Sequence, residues 1–101
     1  MNAKKRKALE KAGWQFGDVQ DLLELSDADM AIVEARANLA RALRKMRKRL
    51  RVSQEELAAR IGSSQSRVSS AESGQGTVEQ IIRCLVALGA DRKKIGREIA
   101  A

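Results

Sequence analysis

Residues 53–74 of the chain read SQEELAARIGSSQSRVSSAESG, and this segment contains the clearest structural signals in the sequence. Ser53 opens a Ser-x-x-Glu capping box, which predicts a helix that begins at the next residue. Gly62 predicts the end of that helix, because a glycine just beyond the last turn can adopt the left-handed conformation. Ser64 can then cap a second helix, which runs to about Glu72. Two short capped helices joined by a tight turn that contains glycine predict a helix-turn-helix.

The sequence upstream predicts one long helix. Ser26 followed by Asp29 resembles a second capping box, and nothing interrupts the helical pattern from Asp27 to about Leu50. The apolar residues of this helix fall on two stripes. The first is predicted to face the core, and the second is a candidate contact surface for a partner or a second copy of the chain. The first stripe is Ile32, Leu39, Leu43, Met46 and Leu50, and the second is Met30, Val33, Ala37 and Ala40.

The sequence downstream predicts another amphipathic helix. Ile81, Cys84, Leu85 and Leu88 share one helical face, so Cys84 is predicted to be a small buried residue rather than a redox centre. The chain has no Pro and no alternating pattern typical of a strand. We therefore expect an all-α fold.

The charge of the chain is positive and unevenly distributed. Lys and Arg number 20 against 13 Asp and Glu, which gives a net charge of +7 and a pI near 10.2. Residues 41–51 (RALRKMRKRLR) contain seven cations and no anion, whereas residues 12–40 carry a net charge of −5. Cations this close repel one another unless a polyanion neutralises them, and so basic a chain first suggests nucleic acid. A solvated helix face is the alternative interpretation.

The composition excludes several chemistries. With no His and one Cys, the chain can assemble neither a zinc site nor a Ser-His-Asp or Cys-His nucleophile. One Cys cannot form an intramolecular disulfide, and no run is apolar and long enough for a membrane span or a signal peptide. We therefore expect a small cytoplasmic protein that is not an enzyme and that binds no cofactor and no metal.

The wider stretch over residues 43–74 resembles the Xre class of helix-turn-helix domains, the lambda-repressor-like family. The resemblance extends over about residues 41–99. Its matching pieces are Leu43 and Arg47, SQEELA at 53–58, Gly62, SQSRVS at 64–69, ESG at 72–74 and TVEQI at 77–81. The linker from Gly74 to Thr77 is shorter than is usual in the family and lacks its proline, so the placement of the fourth helix is open. The longer frame, from Gly13-Trp14 to Ile95-Gly96, resembles the HigA-type antitoxins of bacterial toxin–antitoxin operons.

The resemblance implies a role for each residue of the motif. In this family the second helix of the pair enters the major groove, and its N-terminal residues meet base edges. The corresponding base-reading residues are Gln65, Ser66, Ser69 and Ser70. Gln65 can pair bidentately with adenine, and a serine hydroxyl both donates and accepts. The candidates for phosphate contacts are Gln54, Ser64 and Arg67, with Arg44, Lys48 and Arg51 from the basic run. Arg47 and Glu72 match a structural ion pair.

The sequence therefore predicts an all-α, lambda-repressor-like domain of five helices over residues 26–101, preceded by a helical, basic and acidic extension over residues 1–25. Its expected function is sequence-specific binding of double-stranded operator DNA and repression of transcription, as a homodimer. The HigA resemblance adds an antitoxin role, with a RelE/HigB-like toxin as partner and repression of its own promoter. A plain Xre repressor without a toxin, and an RNA- or ribosome-associated helix-turn-helix protein, are the alternatives. We expect a bacterial protein that joins the nucleoid when bound to DNA.

Overall fold

The computed structural model describes residues 25–101, and within this range the chain forms five α-helices and no strand. The helices are α1 (Asp27–Arg49), α2 (Gln54–Arg60), α3 (Gln65–Glu72), α4 (Val78–Ala87) and α5 (Arg92–Ala100). The predicted all-α, lambda-repressor-like fold of five helices is therefore confirmed. Apart from Leu25, the predicted helical extension lies outside the described residues.

Two compact units make up the chain, residues 1–31 and residues 32–101. The second unit contains most of α1 and the whole of the other four helices. The domain boundary predicted after residue 25 stays a prediction.

Each described helix begins at a polar side chain that satisfies a free backbone N–H of the first turn. The predicted box at the start of α1 is present, since the N–H of Asp29 donates to Ser26 Oγ at 3.1 Å and the N–H of Ser26 donates to Asp29 Oδ2 at 3.3 Å. The side chains of Ser53, Ser64, Thr77 and Asp91 cap the later helices in the same way. These caps explain why the predicted helix starts agree with the structure.

Helices α1 to α4 end in the same backbone motif, but one of them lacks the usual glycine. In each, a residue with positive φ is followed by a residue whose N–H donates to the helix carbonyl five positions earlier, which is the Schellman arrangement. Glycine occupies the positive-φ position after α2, α3 and α4 (Gly62, Gly74 and Gly89), and Arg51 occupies it after α1 with φ of 57°. An L-residue in this conformation costs about 1–2 kcal/mol.

The core lies in the second unit and draws on all five helices. Leu39, Leu43, Leu57, Val68 and Ile81 are fully buried in it, and Cys84 is buried beside them as predicted. Helices α2 and α3 contact each other, and both contact α4. Because the fully buried α2 and α3 side chains point into this core, the helix pair has a fixed orientation relative to α1.

Both apolar stripes predicted on α1 need correction at their ends. Leu39, Leu43 and Met46 are buried as expected, but Ile32 is 51% exposed and Leu50 is 45% exposed. Ile32 precedes the stretch of α1 that joins the core, and Leu50 lies beyond the last residue of α1. In the second stripe Ala40 belongs to the core, Met30 is also buried and Val33 is half-buried, so only Ala37 is exposed. The second stripe is therefore not a continuous open surface.

The short linker between α3 and α4 is accommodated by a close backbone approach. A Cβ atom at Gly76 would lie 3.0 Å from the Cα of Ala71 and 3.2 Å from its nitrogen, so only glycine fits there without displacement. The N–H groups of Gln75 and Gly76 both donate to the carbonyl of Ser70. Thr77 then caps α4, and Ile81 of α4 is fully buried in the core. The shortened linker thus leaves the fourth helix in place.

Candidate nucleic-acid interface

Helix α3 presents opposite sides to the core and to solvent. Val68 and Ala71 are fully buried, whereas Gln65, Ser66 and Ser69 are exposed. Ser70 is only half-buried, so Ser69 is more open to solvent than Ser70. Beside the exposed cation Arg67, the outer side of α3 is therefore a row of uncharged side chains that can both donate and accept hydrogen bonds.

An ion pair joins α1 to the end of α3. Arg47 Nε lies 2.5 Å from Glu72 Oε2, and Arg47 Nη2 donates to Glu72 Oε1 at 2.9 Å, so the guanidinium binds both carboxylate oxygens. Arg47 Nη1 also donates to the carbonyl of Val52 at 2.9 Å, just before α2. The hydrogen bond to Glu72 raises the pKa of Arg47 above its usual value, against the opposing effect of burial. One cation thus ties together the ends of three helices.

The glutamines at the starts of α2 and α3 form a chain of hydrogen bonds that leads from this ion pair towards solvent. Gln54 Nε2 donates to Glu72 Oε1, and Gln65 Nε2 donates to Gln54 Oε1, each at a long 3.5 Å. The Oε1 of Gln65 and its second N–H remain available. Because an adenine edge needs one acceptor and one donor from the same amide, this orientation of Gln65 suits such a base.

Comparison with known proteins agrees with this geometry. Residues 38–95, more than half of the chain, match the family model described as a helix-turn-helix domain. The chain belongs to the helix-turn-helix domain family. No curated protein and no solved structure gives a significant match. The helix-turn-helix is a DNA-binding unit, so the family makes this chain a DNA-binding regulator and double-stranded DNA its partner.

The cations predicted to contact phosphate surround the helix-turn-helix on the surface. Arg44, Lys48, Arg51 and Arg67 are all exposed, and none forms an ion pair with another residue of the described range 25–101. Arg44 lines a depression together with Gln54, Ser69 and the ion pair. Exposed cations without protein partners are available to phosphate oxygens, which is the requirement for backbone contacts.

Ser64 has a structural task in addition to its predicted phosphate contact. Its Oγ accepts the N–H of Arg67 at 3.3 Å as the cap of α3, and it lies 3.3 Å from Ser66 Oγ. A capping oxygen is used as an acceptor, but its own proton stays available to a phosphate oxygen. The cap and a phosphate contact are therefore chemically compatible.

Two features of the helix-turn-helix surface are absent from the sequence prediction. Ser73 lines the same depression as Arg44, and its Oγ donates to the carbonyl of Ser70 at 3.0 Å. Cations of the basic run that were assigned no role, Lys45 and Arg49 among them, line a separate groove against α5. The charge count of residues 41–51 contained the signal for that groove, but not its location.

The remaining chemistry of the described residues is limited. Residues 25–101 contain no group of three or more His, Cys, Asp or Glu side chains placed to bind a metal ion. Burial raises the pKa of the Cys84 thiol, and the charge of Glu72 raises it further. None of the helices in this range has the length and apolar character that crossing a bilayer requires.

Proposed function

We propose that this helix-turn-helix protein binds a specific operator sequence in double-stranded DNA and represses transcription from it. The observation that carries the proposal is the arrangement of α3, where exposed Gln65, Ser66 and Ser69 can form hydrogen bonds, beside exposed cations that form no ion pair within residues 25–101. Phosphate contacts fix position and supply affinity, while side chains against base edges supply specificity. The domain has both kinds of group in neighbouring places.

Base reading is assigned to the exposed face of α3. Gln65 supports it most strongly, because its amide orientation leaves one acceptor and one donor for an adenine. Ser66 and Ser69 add permissive hydrogen bonds from exposed positions, and Ser70 is the least accessible of the four.

Phosphate binding is assigned to side chains around that face. Gln54 and Ser64 lie at the N-terminal ends of α2 and α3, where free N–H groups favour an anion. The cations are Arg44, Lys48, Arg51 and Arg67. In this assignment Arg47 supports the fold rather than the DNA, since its guanidinium already has three protein hydrogen bonds.

Two single variants test the division between specificity and affinity. Gln65→Ala is expected to cost roughly 1–3 kcal/mol at the selected operator and to relax the preference at one base pair. Arg44→Ala is expected to weaken binding to all duplexes nearly equally and to lower the salt slope by about 1.

The measurement uses duplexes selected from a random pool, titrated against a scrambled duplex at several salt concentrations. Lys93→Ala is the control, since Lys93 is an exposed cation on α5 that does not line the depression beside α3. An unchanged ratio of operator to scrambled affinity in Gln65→Ala would overturn the base-reading assignment. Tighter binding of structured RNA than of any duplex DNA would instead favour the RNA-associated alternative.

We further propose that the protein acts as a homodimer. One recognition helix contacts only a few base pairs, and two half-sites about one helical turn apart multiply the specificity. Sedimentation of the free protein and of its operator complex tests this directly. A selected operator without two-fold symmetry, bound by one chain, would contradict it.

The antitoxin role is a finer proposal, and it depends on the acidic segment before the basic run. Its acidic residues are Asp18, Asp21, Glu24, Asp27, Asp29 and Glu34, of which the first three lie outside the described residues. Within the described range, Ile32 is exposed one turn after exposed Asp29, so an apolar and an acidic side chain share one side of α1, which supports a contact with a basic protein surface; Glu34 is also exposed, on roughly the opposite side of the helix. Asp29 is less available, because it completes the cap of α1.

Truncation tests the antitoxin proposal. A chain of residues 26–101 keeps Ser26 as the cap of α1 and is expected to bind the operator while losing protection against a toxin encoded beside it. Full rescue of growth by the truncated chain would exclude the segment from toxin binding. Absence of any RelE/HigB-like neighbour would leave the plain repressor as the better proposal.

A further inference from the structure

A basic groove lies between α1 and α5, beside the helix-turn-helix surface. Its α1 lining is Arg41, Arg44, Lys45, Lys48 and Arg49, and its charged α5 lining is the ion pair of Lys94 and Glu98. Lys45 and Arg49 are each two residues from Arg47, which at 3.6 residues per turn places them on roughly the opposite side of α1. A duplex held by α3 that uses Arg44 and Lys48 therefore leaves Lys45 and Arg49 available.

The cations that α1 contributes to the groove lack the acidic neighbours that other helices provide. Arg83 on α4 pairs with Glu79 at 2.8 Å, and Lys94 on α5 pairs with Glu98 at 3.1 Å, both at a spacing of four residues. On α1 the residues at that spacing from Lys45 are Arg41 and Arg49 themselves. No ion pair of the described range 25–101 involves any of these three. Like charges at this spacing oppose helix formation, so an external anion would relieve the repulsion.

The lining of the groove favours a nucleic acid over a protein partner. Its apolar residues are buried Ala42 and Met46 and exposed Ala101, so the groove has no large apolar or aromatic side chain exposed to anchor a protein. Asn38 also lines the groove, but its amide already donates to the carbonyl of Ile99 and accepts from Arg41. With the amide of Asn38 occupied, the groove offers mainly positive charge, which suits phosphate oxygens.

We propose that this groove binds the phosphate backbone of a second segment of double-stranded DNA without regard to sequence. This inference rests on the proposed DNA-binding function. Arg41 to Arg49 span about 12 Å of α1 at 1.5 Å per residue. Along that length one DNA strand presents about three to four phosphates, at roughly 3.4 Å of axis each. One domain then holds an operator on α3 and a second duplex segment on the other side of α1.

A two-duplex capture experiment with the full chain tests the proposal. A short selected operator duplex is immobilised, protein is added, and a fluorescent random-sequence duplex follows. The wild type is expected to retain the fluorescent duplex. Lys45→Gln with Arg49→Gln is expected to bind the operator normally, to lose the second duplex, and to lower the salt slope of the second event by about 2.

The matched control is Lys93→Gln with Arg97→Gln, which removes the same charge from exposed positions on α5 that do not line the groove. This control is expected to retain both duplexes. Equal loss of the second duplex in both double variants would assign the effect to net charge and overturn the proposal. Retention of the second duplex by Lys45→Gln with Arg49→Gln would also overturn it, because a dimer using two α3 surfaces would then explain capture. If the wild type binds the operator but does not capture the second duplex, only the proposal for the groove is refuted. If the wild type binds no duplex at all, the proposed DNA-binding function is refuted as well.

Discussion

Replacement of Arg47 by Met is expected to destabilise the domain strongly, because it leaves a buried carboxylate without its cation. The side chains of Arg47 and Glu72 are 13% and 4% exposed, and the change removes both bonds to Glu72 and the bond to the Val52 carbonyl. Only the long contact from Gln54 then remains at the carboxylate. Removing one partner of a buried pair costs roughly 3–5 kcal/mol. We expect about 3 kcal/mol, the lower end, because the guanidinium is partly exposed.

A loss of this size is large for so small a protein. At roughly 0.05–0.15 kcal/mol per residue, a domain of residues 32–101 has a total stability of about 4–10 kcal/mol. The midpoint of thermal unfolding should fall by about 12–24 °C, at roughly 4–8 °C per kcal/mol. Unfolding followed by circular dichroism in heat and in urea measures both quantities.

Two comparison variants identify the cause. Arg83→Met removes an ion pair whose side chains are 66% and 74% exposed, and it should cost less than about 0.5 kcal/mol. Arg47→Met combined with Glu72→Met removes both charges and should recover most of the loss, because no charge is then left buried alone. If Arg47→Met lowers the midpoint no more than Arg83→Met, the ion pair does not stabilise the helices as argued.

Three further predictions test features of the backbone and the core. Gly76→Ala should destabilise the domain by about 1–3 kcal/mol, because the new Cβ clashes with Ala71. Gly96→Ala has open space around its Cβ and should stabilise α5 by up to about 1 kcal/mol, so urea unfolding should give changes of opposite sign for the two variants. Arg51→Gly should stabilise by about 0.5–1 kcal/mol by relieving the positive φ, while lowering the salt slope of DNA binding by about 1; a stability loss would argue against strain. Cys84 should resist alkylation in the folded state, because it is buried. Because the pKa of its thiol is raised on folding, the contribution of the protonated thiol to the free energy of unfolding should be fully present below the unfolded pKa and should be lost as pH rises through the folded pKa. Fast alkylation under native conditions would contradict the burial.

The helix boundaries could be predicted from sequence because each is encoded locally. Ser53 and Ser64 cap helices through bonds to residues three positions later, and Gly62 supplies a conformation that few other residues adopt. Such signals need no knowledge of distant parts of the chain. Arg51 shows the limit, since nothing in its side chain marks it as the residue that ends α1 with positive φ.

Exposure along α1 was less predictable, because it depends on where the other helices pack. Ile32 and Leu50 continue an apolar stripe in sequence, yet both lie outside the stretch of α1 that contributes to the core. The groove cations show the same dependence. Lys45 and Lys48 belong to one charge run, and only the position of α5 shows that both line a groove.

The division of tasks along α3 has a consequence for how this protein can change its target. Val68 and Ala71 pack, Glu72 is paired with Arg47, and neither Ser66 nor Ser69 contributes to the core. With Ser66 and Ser69 in the proposed base-reading role, their substitution would alter which bases are preferred at little cost to folding or to attraction for the phosphate backbone. A duplicated gene could diverge towards a new operator through a few single substitutions. The protein would remain folded and able to bind the DNA backbone after each of them.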